Sequence, residues 1–382
     1  MTSLFSSAES KQLPTSAELR LAEVRLCLVP GIGPKMRVTL LEHFSTAYQV
    51  FSAAPAELRK ITGVGVKLLR EVQQAPPPEA IQVQLDQWQS QGIGTCLPGD
   101  ATYPQLLSQL DTPPGLLFTR GELLATDQLA LAIVGTRHCT QYGKLMAERL
   151  AAGLSRAGYT IISGLARGID AAAHQAALSA GGRTIAVLGS GVANIYPPEH
   201  AELAVEISRQ GAVISESQPA ALPMKGSFPQ RNRIISGMAL GVIVVEADTG
   251  SGALITARHA QEQGREIFAV PGRADSRVSR GCHRLIRDGA KLVETVDDVL
   301  EELGPLVART PTISGTEIQH PAELQLSDPE KAVLATIGSE AISIDQVISA
   351  SGLSAPQVLS TLSVLEMRRL VRRGSGQMVQ RR

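Results

Sequence analysis

The sequence predicts an α/β protein: a Rossmann-like parallel sheet core with a small helical domain before it and another after it. Three observations carry this reading. From Leu129 to about Leu303, short apolar runs alternate with amphipathic stretches, the pattern of β-α-β units whose sheet is covered on both faces. Ahead of that region a Gly-x-Gly turn between apolar helical stretches occurs twice. Behind it, three helical stretches lead into two short β-like runs, the order of a winged helix.

Length and composition fit several domains. At roughly 100–200 residues per domain, 382 residues suggest two or three. With 43% hydrophobic and 19% charged residues, a wholly disordered chain is excluded. The 36 Lys+Arg balance 36 Asp+Glu, so any nucleic-acid affinity has to come from local patches. No run of about eighteen apolar residues occurs, and Met1–Lys11 lacks a basic start and apolar centre, so no membrane span is expected and the expected location is the cytoplasm. Cys27, Cys96, Cys139 and Cys282 form no C-x-x-C pair and read as buried small hydrophobes. The seven His residues show no H-E-x-x-H spacing, and neither a metal nor a cofactor is expected.

In chain order, residues 1–75 read as a helix-hairpin-helix (SAM-like) domain. Its turns are Val29-Pro-Gly-Ile-Gly-Pro34 and Ile61-Thr-Gly-Val-Gly-Val66. Glycines there let the backbone approach a phosphate, with the amides of the next helix pointing outward and Lys35, Arg37 and Lys67 adding charge. The alternative is a plain connector in a small helical bundle. Ala75–Pro78 reads as a linker and Ala80–Gln91 as a helix leading into the core, which spans residues 80–303. Core strands are expected at Leu129–Val134, Thr160–Ser163, Thr184–Leu188, Ala212–Ser215, Gly241–Glu246, Glu266–Val270 and Ala290–Val293, with helices at Tyr142–Ala157, Asp170–Ala180, Pro198–Gln210 and Gly252–Gln263. Residues 304–327, rich in Pro and Thr, read as a second linker, and residues 328–382 as a winged helix. Its presumed recognition helix, Ser354–Glu366, has no Lys or Arg. Its cations, Arg368, Arg369, Arg372, Arg373, Arg381 and Arg382, gather at and beyond the wing, which leaves DNA contact and protein docking both open.

Ligands of open parallel sheets sit beyond the carboxyl ends of the strands. The loops there are Gly135–His138, Gly164–Gly168, Gly189–Asn194, Glu216–Arg233 and Ala247–Gly252. Gly189-Ser-Gly191 is an incomplete dinucleotide fingerprint, with Asn194 in place of the third Gly, and no G-x-x-x-x-G-K-[ST] sequence exists, which argues against an ATP-hydrolysing P-loop. Charge is the sharper signal. Ser217–Val245 holds Lys225, Arg231 and Arg233 and no acid, and carries Phe228 in a chain with 3% aromatics. Cations for phosphates, a ring for stacking and a hydrogen-bonding Asn232 are the parts of a single-strand site. Arg137 and Arg167 should project towards the same sheet edge. The structural alternative puts Phe228 in the core and pairs Arg231 with Glu216.

Four motifs then carry a resemblance. Ser163-Gly-Leu-Ala-Arg-Gly-Ile-Asp170, Phe228-Pro-Gln-Arg-Asn-Arg-Ile-Ile-Ser-Gly237, Val245-Glu-Ala-Asp-Thr-Gly-Ser-Gly-Ala-Leu254 and Gly281-Cys-His-Arg-Leu-Ile-Arg-Asp-Gly289 resemble the DprA/Smf family, the DNA-processing proteins of bacterial transformation. The resemblance implies a non-enzymatic homodimer that binds single-stranded DNA and loads the RecA recombinase onto it, displacing or bypassing single-strand-binding protein. It implies a DNA pocket of Arg137, Lys225, Phe228, Arg231, Asn232 and Arg233. It also places the dimer contact in Gly281–Ala290, at His283, Leu285 and Ile286, although one sequence does not distinguish that from an inward-facing position. The competing reading is a nucleotide-binding or nucleotide-processing protein related to phosphoribohydrolases, with Thr249–Gly252 as phosphate loop and Glu246 or Asp248 as the working carboxylate. A carboxylate at a strand end is more often a helix cap or ion-pair partner.

Overall fold

The computed structural model describes residues 14–303, 310–312, 315, 317–318, 320–338, 340–368, 370–374 and 376–381. It divides into two compact units, Met1–Asp100 with Asp111–Phe118, and Ala101–Leu110 with Thr119–Arg382.

The first unit packs short helices around Leu26, Leu40, Val50, Leu58 and Leu69. Each Gly-x-Gly turn joins two of them. Gly31 and Gly63 have φ of +89° and +93°, a conformation other residues adopt only with strain. The second glycine of each pair, Gly33 or Gly65, caps the following helix, Pro34–Phe44 or Val66–Gln73, without a side-chain hydrogen bond, leaving the first-turn amides open. Lys35 and Lys67 are exposed beside these turns. Arg37 is not available there: it is buried and donates to Glu23 Oε2 at 2.8 Å. Pro78, expected in a linker, opens the helix Pro78–Ser90, since a proline in a first turn sacrifices no helical hydrogen bond.

The second unit is built on seven parallel strands: β1 (Ala130–Val134), β2 (Thr160–Ser163), β3 (Thr184–Val187), β4 (Ala212–Ser215), β5 (Gly241–Val244), β6 (Glu266–Ala269) and β7 (Lys291–Leu292). They are hydrogen-bonded in the order β4-β3-β2-β1-β5-β6-β7. Helices α1 (Gln141–Arg156), α2 (Ile169–Ser179), α3 (Ala201–Gln210), α4 (Ser227–Gly237), α5 (Gly252–Glu262) and α6 (Arg280–Arg287) accompany them. Every residue of β1 to β5 is buried, which is why those strands read as continuous apolar runs without alternation. One apolar cluster holds Leu150, Leu154, Ile161, Ala173 and Ala177; a second holds Leu188, Leu203, Ile207 and Val213.

One expectation about local structure is corrected. Glu216–Arg233 was read as a single loop, but from Ser227 onward it is α4. Pro229 and Asn232 look like turn residues, yet Pro229 lies in the first turn of the helix, where a missing N–H is tolerated, and Ile234 and Ile235 bury the following turn.

Residues 304–327 were read as a linker. Among the described residues, Thr310–Pro311 pairs antiparallel with Glu317–Ile318, and Ile318 joins the main core cluster. The 3-10 turn Pro321–Gln325 follows; Leu324 packs on that same cluster, while Ala322 packs on the winged-helix core. The winged helix comprises Asp328–Ala335, Ile344–Ser351 and Ala355–Met367 with a three-stranded sheet of Ile342–Ser343, Met378–Arg381 and Val371–Arg373, around Val333, Val347, Val358, Leu362 and Val379. No single helix among the described residues is long and apolar enough to cross a membrane.

A buried ion pair ties the approach to β1 to the start of β3. The Asp127 carboxylate accepts from Arg183 Nε at 2.5 Å and Nη2 at 2.8 Å, from Thr160 Oγ1 at 3.0 Å and from the Leu124 amide at 2.7 Å. Removing one member of such a network strands the other charge. Asp127→Ala is therefore expected to lower unfolding stability by about 3–5 kcal/mol, read from denaturant melts against wild type; a loss under about 1 kcal/mol would show that water replaces the carboxylate.

Candidate nucleic-acid interface

The sheet order reverses between β1 and β5, so the loops leaving these adjacent strands diverge and open a crevice at their carboxyl ends. The crevice has a volume of about 680 Å³ and is lined by Gly135, Arg137, Lys225, Phe228, Arg231, Asn232, Asp248, Ser251 and Gly252. A small adjoining recess includes Arg167 and Tyr196. Five of the seven expected DNA-binding residues thus converge on one cleft, Arg167 lies beside it, and Arg233 is not part of its lining.

Their chemical situations differ. Arg137 and Lys225 are exposed, and among the described residues neither has a carboxylate within ion-pair distance. Phe228 is half-buried; the Arg137 guanidinium lies 5.5 Å from its ring centroid and the Tyr196 ring 5.6 Å away at 50°. Together they form a cation-flanked aromatic surface at the cleft mouth. Arg167 is paired with Glu199.

Arg231 is instead built into the floor. It is 7% exposed and its Nη1 donates to the carbonyls of Gly164, at 2.7 Å, and Val187, at the ends of β2 and β3. Burial pulls its pKa down to about 10, opposed by the Asp170 carboxylate, so it remains a cation at neutral pH. Asp170 is pushed up by its own burial; Arg231 and the amides of Ala166 and Gly164 act the other way. Two glycines of the strand-end loops are explained here. A Cβ on Gly164 would lie 2.6 Å from the Arg231 guanidinium, and one on Gly189 2.9 Å from the Phe228 ring. Asn232 Nδ2 donates to the Gly252 carbonyl at 3.2 Å, tying α4 to the start of α5. Arg233, and not Arg231, pairs with Glu216, at 2.6 and 2.7 Å.

The carboxylates proposed for nucleotide chemistry are also accounted for. Glu246 is 2% exposed, absent from the cleft lining, and accepts from the Thr140 amide at 2.9 Å and hydroxyl at 2.6 Å, fixing the residue that caps α1. Asp248 lines the cleft but accepts from the Thr249 amide at 2.8 Å and from Arg277 at 3.1 Å. Among the described residues no group of three or more His, Cys, Asp or Glu is placed to hold a metal.

Tyr196 was missed in the sequence. Its signal was available: an aromatic residue in a chain nearly devoid of them, two residues beyond the Gly189–Asn194 loop. Of the expected dimer residues, Leu285 and Ile286 are half-buried, and half-buried His283 bonds the Gly272 carbonyl through Nε2 at 3.0 Å. The terminal cations are largely engaged: Arg368 with Glu330, Arg373 with Glu366 and Arg381 with Glu323, while Arg372 is exposed; Arg369 and Arg382 lie outside the described residues. The helix Ala355–Met367 exposes Leu359 and Met367.

Comparison with known proteins matches residues 94–304 to the family described as DNA recombination-mediator protein A, 317–377 to the DprA winged helix domain and 24–75 to the SAM-like helix-hairpin-helix tandem. The chain is 34% identical to protein Smf of Synechocystis over 93% of its own length and 96% of the relative's, and 42% identical to protein Smf of Escherichia coli over 73% and 75%. It is similar to the crystal structure of Streptococcus pneumoniae DNA processing protein A, with TM-score 0.65, 34% identity and 76% of this chain matched to 99% of that one. It is also similar to Helicobacter pylori DNA processing protein A, described for its single-stranded DNA binding mode, with TM-score 0.50, 32% identity and coverage of 54% and 93%.

Behind Arg231 lies His174, fully buried. Thr184 Oγ1 donates to the Ile161 carbonyl, so His174 Nδ1 donates to Thr184 at 2.7 Å, and Nε2 is left with no partner. Burial, with the charges of His200 and Arg231, holds its pKa near 3. The folded value lies below the ordinary 6.5, so between the two the unfolded chain binds more protons. This contribution is complete above pH 6.5 and is lost as pH falls towards 3. Stability measured from pH ~7 to pH ~5 should fall more steeply in wild type than in His174→Leu; parallel curves would mean that His174 is not held neutral.

Proposed function

The chain belongs to the DNA recombination-mediator protein A family, also named DprA or Smf, and from that premise we propose that it is a non-enzymatic mediator that binds single-stranded DNA and loads RecA onto the incoming strand in transformation. The observation that carries the reading is the mouth of the switch-point cleft, where exposed Arg137 and Lys225 flank the half-buried Phe228 ring. Cations there neutralise backbone phosphates, and a ring offers any base a stacking face, which gives affinity without sequence readout. Buried Arg231 adds fixed positive charge beneath the cleft, Arg167 and Asn232 border it, and Arg233 braces α4 through Glu216. The Helicobacter relative's described single-stranded DNA binding supports the same ligand class here.

A stoichiometric role, without base release or nucleotide hydrolysis, is favoured over the nucleotide-processing alternative by the use of Glu246 as a structural anchor for the α1 cap. RecA as partner, the bypassing of single-strand-binding protein and the cytoplasm as place of action follow from the family reading. So does a homodimer through His283, Leu285 and Ile286. In support of that contact, both apolar residues are only half-buried, and they precede β7, an end strand of the parallel order, whose Leu292 is 40% exposed.

Oligothymidine titrations at several salt concentrations test the site. Lys225→Ala should lower the magnitude of the salt slope by roughly 0.7, one phosphate contact to a single strand. Phe228→Ala should weaken binding by about 1–3 kcal/mol per stacked base with the slope nearly unchanged. Two variants with unaltered thermal transitions and unaltered affinity would remove the cleft as the binding site. Self-association has its own test: Ile286→Glu should give a folded monomer by sedimentation, whereas an unfolded product would assign Ile286 to the core.

A further inference from the structure

The segment Arg273–Lys291 carries six cations and two carboxylates, in a chain whose overall charge is zero. It borders the cleft directly. Arg277 donates to Asp248, a residue of the cleft lining, and the turn Arg277–Ser279 runs straight into α6, where Gly281 packs against Ala247. In α6 the spacing of Arg280, Arg284 and Arg287 places all three within one narrow sector at 3.6 residues per turn, and all three are exposed. The opposite side of the helix holds buried Gly281 and Cys282, with Leu285 between them in angle. The outward face is therefore a row of guanidinium groups about 10 Å long by helix rise, beginning at the cleft rim.

The acids do not cancel this row. Asp288 meets Arg284 at 3.5 Å, both side chains more than 60% exposed, and Arg277 is 77% exposed in its pair with Asp248. Such surface pairs are weak and exchange readily for another anion. The winged-helix cations differ: Arg368 and Arg381 are paired with Glu330 and Glu323, whose side chains are only 11% and 9% exposed. Among the described residues, the α6 arginines thus keep more of their surface in solvent than Arg368 and Arg381 do.

We propose that the outward face of α6, Arg280, Arg284 and Arg287 with Arg277 at its start, is a phosphate track that carries a single strand onward from the cleft. This rests on the cleft reading and extends it to the strand's path. Base recognition belongs to the cleft, because α6 offers no ring. The track adds charge alone, so its contribution depends on strand length and on salt.

The test compares two oligothymidines, one of about 6 nucleotides that fills only the cleft and one of about 20 that runs beyond it. In Arg280→Gln/Arg284→Gln, the salt slope for the long strand should drop in magnitude by about 1.4, two lost contacts, with the short strand unaffected. Lys225→Ala, measured in parallel, should weaken both lengths. Unchanged long-strand binding, or equal loss for both lengths, overturns the track. A change in sedimentation mass without a change in DNA binding also overturns it and assigns the face to protein contact. If Lys225→Ala affects neither length, the cleft reading fails on its own account, separately from the track.

Discussion

The burial of one cation organises the site. Taking the Arg231 guanidinium out of water carries a penalty of several kcal/mol, offset where Nη1 donates to the carbonyls that end β2 and β3, while Nε stays buried without a partner. The guanidinium fits there because Gly164 has no side chain. Asp170, held by the amides of the same loop, opposes the fall in the Arg231 pKa, and His174 behind it is kept neutral. With Arg231 anchored, α4 is fixed against the sheet, and Phe228, one turn earlier, rests over Gly189 and lines the cleft.

Charged residues consequently divide into two groups. Arg231, Arg233, Arg37, Arg183 and Glu246 hold elements together, each through partners far away in the chain or on another element. Arg137, Lys225 and the outward row of α6 are left to solvent. Because the fold uses the first group, it can present the second at the switch point and beside it, where among the described residues Arg284 alone meets a carboxylate, that of Asp288 at 3.5 Å. Glycines divide the same way: Gly31 and Gly63 are needed for their backbone angles, Gly164 and Gly189 for the space they leave.

The winged helix is joined to the core by more than its chain connection. Ile318 and Leu324 enter the core cluster, Ala322 and Leu326 join the winged-helix cluster, and Arg381 reaches Glu323 in the turn between them. Among the described residues, Arg368 and Arg373 pair with acids of the winged helix itself and Arg372 is exposed, while the helix that would enter a groove in a DNA-reading winged helix presents Leu359 and Met367.

The sequence by itself determined the architecture, because burial of both sheet faces demands continuous apolar runs at strand spacing, and the seven strands were legible to within a residue or two at each end. It also pointed to where the cleft lies, since loops at strand ends diverge wherever a parallel sheet reverses order. Tertiary structure alone decided which of the site's cations are free. Arg231 and Arg233 are two residues apart in one motif and look equivalent, yet one is sealed by carbonyls 67 and 44 positions away and the other is held by an acid 17 positions away. The row on α6 went unread for the same reason: its motif was taken for an apolar contact, and only packing of Gly281 and Cys282 inward shows that the arginines face out. Local pattern specifies which residues are buried as a class; partner choice depends on atoms brought together by the fold, and no window of sequence contains them.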